Sequence, residues 1–227
     1  MHILIILLLL VGIVVGPQLW IKQVMRRYSE PADRYGVSGA ETARRLLNEA
    51  GLESVRVEMT ESGDHYDPIE KVVRLSEGNH AGRSLTATTI AAHEVGHAVQ
   101  DAGGYAPLRW RTSLVRWVGP IEKVGAGMMM ATPLIIGVTR LPYAGALMLL
   151  GGLMTLGSAV AIHMVTLPTE FDASFGRAMP MLEEHGVLYE SDAPHARKLL
   201  RAAAMTYVAA SLMSLLNIAR WWAILRR

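Results

Sequence analysis

Long apolar runs alternate along the chain with shorter segments in which polar and apolar positions mix at helical or strand period. Residues 3–21 contain no Asp, Glu, Lys or Arg. A helix of that length rises about 28 Å, close to the roughly 30 Å of a bilayer's hydrocarbon. A cleavable signal peptide fits less well, because no basic residue precedes the run and Pro17-Gln18-Leu19-Trp20 stands where a small-residue cleavage site belongs. A second apolar region, residues 118–167, is broken by Thr139-Arg140-Leu141-Pro142, which reads as a tight turn inside a helical hairpin. Glu122 and Lys123 sit near the start of its first arm, where snorkelling makes them tolerable, and Trp110 and Trp117 suit an interface. A further apolar stretch, residues 205–225, is interrupted by Asn217 and Arg220, and it either spans a membrane or lies flat with Trp221-Trp222 at the surface.

Between the first run and the hairpin lie roughly ninety residues of mixed pattern, enough for one small domain. Ser38-Gly39-Ala40-Glu41 is a capping box and predicts a helix running to Ala50, stopped at Gly51. Residues 54–60 and 71–76 are short Val-rich alternations that predict two strands, joined through Asp64-His65-Tyr66-Asp67-Pro68. Residues 84–102 predict a helix closed by Gly103-Gly104. The expected fold is a mainly α membrane protein with about four transmembrane helices and a small α+β cytoplasmic domain. Its parts are an anchor (1–21), the cytoplasmic domain (22–116), the transmembrane hairpin (117–167), a cytoplasmic helical segment (168–203) and a C-terminal transmembrane or interfacial helix (204–227).

Composition agrees with a membrane reading: of 227 residues 51% are apolar, and the mean hydropathy is +0.26. Lys22, Arg26 and Arg27 closely follow the first run and no Lys or Arg precedes it. The expected topology therefore turns the N terminus outward and segments 22–116 and 168–203 toward the cytoplasm of a bacterial inner membrane, as a multi-pass protein in contact with the lipid bilayer. On this view the net charge of +2 reflects topology and does not argue for nucleic acid. Cysteine is absent, which excludes disulfides, thiolate-ligated zinc and thiol catalysis.

The candidate chemistry lies in His93-Glu94-Val95-Gly96-His97. On a helix, residues four apart stand one above the other, so His93 and His97 point the same way and can share a metal ion. Glu94 lies about 100° round from His93, placed to act on a metal-bound water without being a ligand, so the small α+β cytoplasmic domain is expected to be zincin-like. The window from Ile90 to Val99 holds no proline and no charge beyond the motif's own, the setting that an interior metal helix needs. The polar residues of this helix, among them Thr86, Thr88 and Thr89, argue against its crossing a membrane itself. A catalytic zinc takes three protein ligands, so a third must come from elsewhere. Glu170 and Asp172, where the chain leaves the hairpin on the same side as the motif helix, are both candidates.

His93-Glu94-Val95-Gly96-His97-Ala98-Val99-Gln100, the upstream Asp64-His65-Tyr66-Asp67-Pro68 with Val73-Arg74-Leu75-Ser76, and Glu170-Phe171-Asp172-Ala173-Ser174 with Arg177-Ala178 resemble the bacterial YugP-like family of membrane neutral zinc metallopeptidases. The resemblance covers nearly the whole chain. More distantly, Glu170-Phe171-Asp172-Ala173 is similar to the Glu-Tyr-x-Ala of membrane proteases that process CAAX proteins or serve heat shock, in which that Glu is the third zinc ligand. This resemblance implies Zn2+ held by His93, His97 and Glu170, with Asp172 as fallback ligand or as the partner of a ligating histidine. Those enzymes place an Asp four residues after the Glu, where this chain has Ser174.

The expected activity is a gluzincin-like endopeptidase in which Glu94 activates a zinc-bound water. His65 and Tyr66 are candidate oxyanion donors, residues 71–76 are the candidate sheet edge for an extended peptide, and the expected substrates are unfolded or membrane-proximal protein segments. The rival reading is a noncatalytic membrane scaffold or transport component with structural zinc or none.

Overall fold

The computed structural model describes residues 2–139 and 142–210. It divides into two compact units, one of residues 17–109 and 167–206, the other of residues 1–16, 110–166 and 207–227. Three long helices run through both: α1 (His2–Tyr28), α5 (Ala106–Thr139) and α6 (Pro142–Phe171).

In the first unit, α2 (Gly39–Glu49) starts at the predicted cap. The Glu41 backbone N–H donates to Ser38 Oγ and the Ser38 N–H donates to the Glu41 carboxylate, so the capping box is closed in both directions. The helix stops before Gly51, whose φ of +70° is a left-handed conformation that glycine adopts without strain.

A three-stranded sheet follows, with β1 (Arg56–Thr60), β2 (His65–Asp67) and β3 (Val72–Ser76) in the order β1-β3-β2. β1 pairs with β3 in parallel and β2 with β3 antiparallel. Two expectations are corrected here. Residues 65–67, expected as a connection, form a strand, because Asp67 accepts hydrogen bonds from the Ile69 and Glu70 backbone and turns the chain straight back into β3. β3, expected as an edge, is the central strand: Val72, Val73 and Leu75 are all buried, and neighbouring Val72 and Val73 point to opposite, covered faces.

The short α3 (Glu77–His80) leads into α4 (Leu85–Ala102), capped by Ser84, whose hydroxyl accepts from the Ala87 N–H. Every residue of α4 from Leu85 to Ala98 is buried. Its small side chains, chiefly Ala, Thr and Gly, let α2, the sheet and the elements after α6 pack against all its sides. Beyond α6 the chain forms a π-helical turn, Asp172–Ala178, then α7 (Met179–Glu184) and α8 (Ala193–Ala204). The π-helical turn and α8 both lie against α4.

The second unit is made of the N-terminal part of α1 and most of α5 and α6. Met128 on α5 sits against Gly151 on α6, and Arg111 donates to the Tyr207 hydroxyl. The hairpin arms extend well beyond the apolar runs that suggested them. Among the described residues no helix is long and apolar enough to cross a membrane. This overturns the expected four transmembrane helices and the multi-pass inner-membrane placement, and it gives the bilayer no structural support as a partner. The helices that contain the apolar runs also hold charged residues: α1 continues into Lys22, Arg26 and Arg27, α5 carries Arg109, Arg111, Arg116, Glu122 and Lys123, and the last turn of α6 holds Glu170. The turn at Arg140-Leu141 and most of the C-terminal segment 204–227 lie outside the described residues.

Candidate metal centre

α4 sets His93 and His97 one turn apart, with ring centroids 4.8 Å apart and planes at 76°. Both are buried, as is Glu170 in the last turn of α6. The His93 Nε2 lies 3.2 Å and the His97 Nε2 3.4 Å from the same carboxylate oxygen, Glu170 Oε2. Among the described residues these three form the group whose ligand atoms converge closely enough to hold a metal ion.

Neighbouring side chains determine which ring nitrogen faces the centre. Gln100, fully buried, donates from Nε2 to the Thr169 carbonyl and to Asp172 Oδ2, each at 2.8 Å. With both amide hydrogens directed at acceptors, the amide oxygen is the atom 3.0 Å from His97 Nδ1, so that nitrogen carries the proton. Ser174 Oγ donates to the Leu200 carbonyl at 3.3 Å and lies 3.1 Å from His93 Nδ1, which is therefore the donor of that pair. Each imidazole is thus held with Nδ1–H outward and Nε2 inward, the arrangement that partners of metal-ligating histidines enforce.

Two nitrogen lone pairs and a carboxylate oxygen then face one another in a buried space, which is stable only with a cation among them. Burial opposes ionisation of Glu170, but where protons on the imidazoles stand in for a metal the charge of His97 and hydrogen bonding with His93 and His97 outweigh it and hold the carboxyl far below the usual carboxylate range. Positive charge at the imidazoles, carried as protons or by a metal, is therefore the condition for burying this carboxylate. The donor set fits zinc: two imidazoles and one carboxylate are ligands it takes. A tetrahedron with bonds of roughly 2.0–2.1 Å has edges of about 3.3–3.4 Å, matching the two nitrogen–oxygen separations of 3.2 and 3.4 Å, and all three ligand atoms lie within 4.8 Å of one another.

Glu94 is buried on α4 beside His93, about 100° round the helix and so outside the ligand face. Close approach of the two ligand-bearing segments depends on Gly96, where a Cβ would stand 2.5 Å from the Ala173 carbonyl oxygen. Asp172 is not in the converging group; its carboxylate accepts from Gln100 at 2.8 Å and from Arg177 at 3.4 Å. The structure engages the two candidate oxyanion donors elsewhere: the Tyr66 hydroxyl donates to Asp101 at 2.7 Å, and His65 Nδ1 bonds the Gly63 carbonyl at 2.8 Å. Sequence reasoning gives no role to Gln100, although its i+3 spacing from His97 puts it on the same helix face. Ser174 stands where similar enzymes have Asp and nevertheless reaches His93.

A family model described as "Putative neutral zinc metallopeptidase" matches residues 2–226. The chain is 38% identical over 213 residues to "Putative membrane protease YugP" of Bacillus subtilis (strain 168), an alignment covering 92% of this chain and 90% of that protein. No solved structure matches the chain significantly.

Proposed function

The chain belongs to the neutral zinc metallopeptidase family, and on that premise we propose a gluzincin-like endopeptidase whose zinc is held by His93 Nε2, His97 Nε2 and Glu170 and whose general base is Glu94. The observation that carries this reading is the convergence of two inward Nε2 atoms on one buried carboxylate oxygen, with both Nδ1 atoms already engaged. Bound there, zinc would supply a Lewis acid for a peptide carbonyl and lower the pKa of water toward neutrality.

Glu94 accepts the proton that the attacking water gives up and returns it to the leaving amine. Its surroundings suit a general base, since it projects from a helix buried on all sides, where competing solvent is excluded. An extended peptide segment is the substrate class, and the edge strand β2, which packs on α4, is the surface suited to receive it. Unfolded segments meet that demand best, since backbone pairing asks for an extended chain more than for particular side chains.

The test is hydrolysis of an unfolded protein by zinc-loaded and chelator-stripped enzyme, alongside zinc content of wild type and His97→Ala. Zinc-dependent cleavage with an emptied His97→Ala supports the reading. Bound zinc without cleavage would indicate a structural metal in a noncatalytic protein.

A further inference from the structure

The Gln100 side chain is fully buried and makes three hydrogen bonds that engage its oxygen and both amide hydrogens, on partners that belong to both ligand-bearing segments. Its oxygen meets His97 on α4. Its NH2 group meets the Thr169 carbonyl, one residue before Glu170, and Asp172, two residues after it. One amide therefore orients one candidate ligand and docks the segment that carries another.

The amide works in this sense only while it does not flip. A flipped Gln100 would put its NH2 against His97 Nδ1–H and its oxygen against two acceptors. Asp172 supplies the second of those acceptors and is itself held by Arg177.

We infer that Gln100, kept in one orientation by Asp172, is a positioning residue for the metal: it presents His97 Nε2 and holds the Glu170 segment against α4. The inference rests on the zinc reading above. It also gives Asp172 a role distinct from ligation, because Asp172 acts through the Gln100 amide, and an amide oxygen in its place would do the same. Ser174, which lies on the Glu170-bearing segment itself, orients the His93 ring directly.

Zinc affinity measured by competition with a chromophoric chelator, with the melting temperature of the metal-free protein as a control for folding, tests the inference. Gln100→Met keeps the length and loses every hydrogen bond, and it should weaken zinc about 10- to 100-fold. Asp172→Ala should weaken it several-fold, and Asp172→Asn, which retains an acceptor for both Gln100 and Arg177, should recover most of that loss. Should Gln100→Met not fold, the Asp172 pair decides. Affinities within about two-fold of wild type for Gln100→Met and Asp172→Ala would overturn the inference, as would equal losses in Asp172→Ala and Asp172→Asn. His97→Ala separates the two levels: if it still binds zinc at this site the zinc reading itself fails, whereas if it is empty and Gln100→Met binds as tightly as wild type, only the positioning role fails.

Discussion

Gly96→Ala should weaken metal binding although the residue is not itself a ligand. Helix propensity alone predicts the opposite sign, since alanine in a helix interior is favoured over glycine by about 1 kcal/mol. The contact decides otherwise. A Cβ at Gly96 would lie 2.5 Å from the Ala173 carbonyl oxygen and 3.2 Å from its carbon. Relief to the near edge of ordinary contact, about 3.4 Å, requires about 0.9 Å of separation. Both atoms are backbone, so no side-chain rotation can absorb the shift, and α4 must move from the π-helical turn. Overpacking of this kind typically costs about 1–3 kcal/mol, offsetting the propensity gain and leaving the metal-free protein between unchanged and about 2 kcal/mol less stable. The metal site is the more sensitive reporter. Ser174 adjoins Ala173 and Glu170 lies three residues before it, so their distances to His93 and His97 open by a similar amount, whereas metal–ligand distances tolerate about 0.2 Å. Zinc affinity should fall at least about ten-fold. Chelator competition and thermal melting of the metal-free variant are the assays. A Gly96→Ala protein that melts higher than wild type and binds zinc equally well would refute the packing argument.

Glu170→Ala should lose zinc at concentrations where Asp172→Ala remains filled in the presence of excess metal; metal analysis showing the reverse would place the ligand on Asp172. Ser174→Ala removes the acceptor of the His93 Nδ1–H, and zinc affinity by chelator competition should drop roughly ten-fold. Asp192, buried, takes hydrogen bonds from Arg34 at 2.5 Å and Tyr35 at 2.6 Å. Burial pushes its carboxyl up, but these partners outweigh burial and hold it below its ordinary value. A depressed folded-state pKa means stability that is present above the unfolded value of about 3.9 and lost as pH falls through the folded one. Melting temperature against pH should therefore decline less steeply below about pH 4 in Asp192→Asn than in wild type.

Much of the site is legible in the sequence because helix periodicity is local. The spacing of His93, Glu94 and His97, the caps at Ser38 and Ser84 and the stop at Gly103 each follow from residues within one or two turns, and the structure places those elements within a residue or two of where the pattern puts them. Which carboxylate approaches α4 is not local. It depends on the π-helical turn and on Gly96, neither of which leaves a periodic trace; proximity in sequence leaves Glu170 and Asp172 both open, and only resemblance favours one.

The sheet is obscure in the sequence for a similar reason. The adjacent Val72 and Val73 are the trace of a strand covered on both faces, but Val73, Arg74 and Leu75 alternate as in a half-exposed strand, and a three-residue strand such as β2 is too short for a period to show. The apolar runs mislead most. Continuity of apolar residues predicts membrane-spanning helices, yet among the described residues the helices that contain those runs are not apolar enough over sufficient length. Gln100 gives no signal because glutamine on a helix is ordinarily a surface residue, and only its partners reveal that it is buried for a purpose.

The central claim is that this metal helix carries a base as well as ligands, and Glu94→Gln tests it most directly. Zinc content and hydrolysis of an unfolded protein should be measured on the same purified sample. The account predicts zinc at the wild-type level with cleavage reduced by at least about 100-fold, since general-base catalysis contributes on that order. Cleavage retained at full zinc occupancy, or zinc lost to the same extent as in His97→Ala, would contradict it.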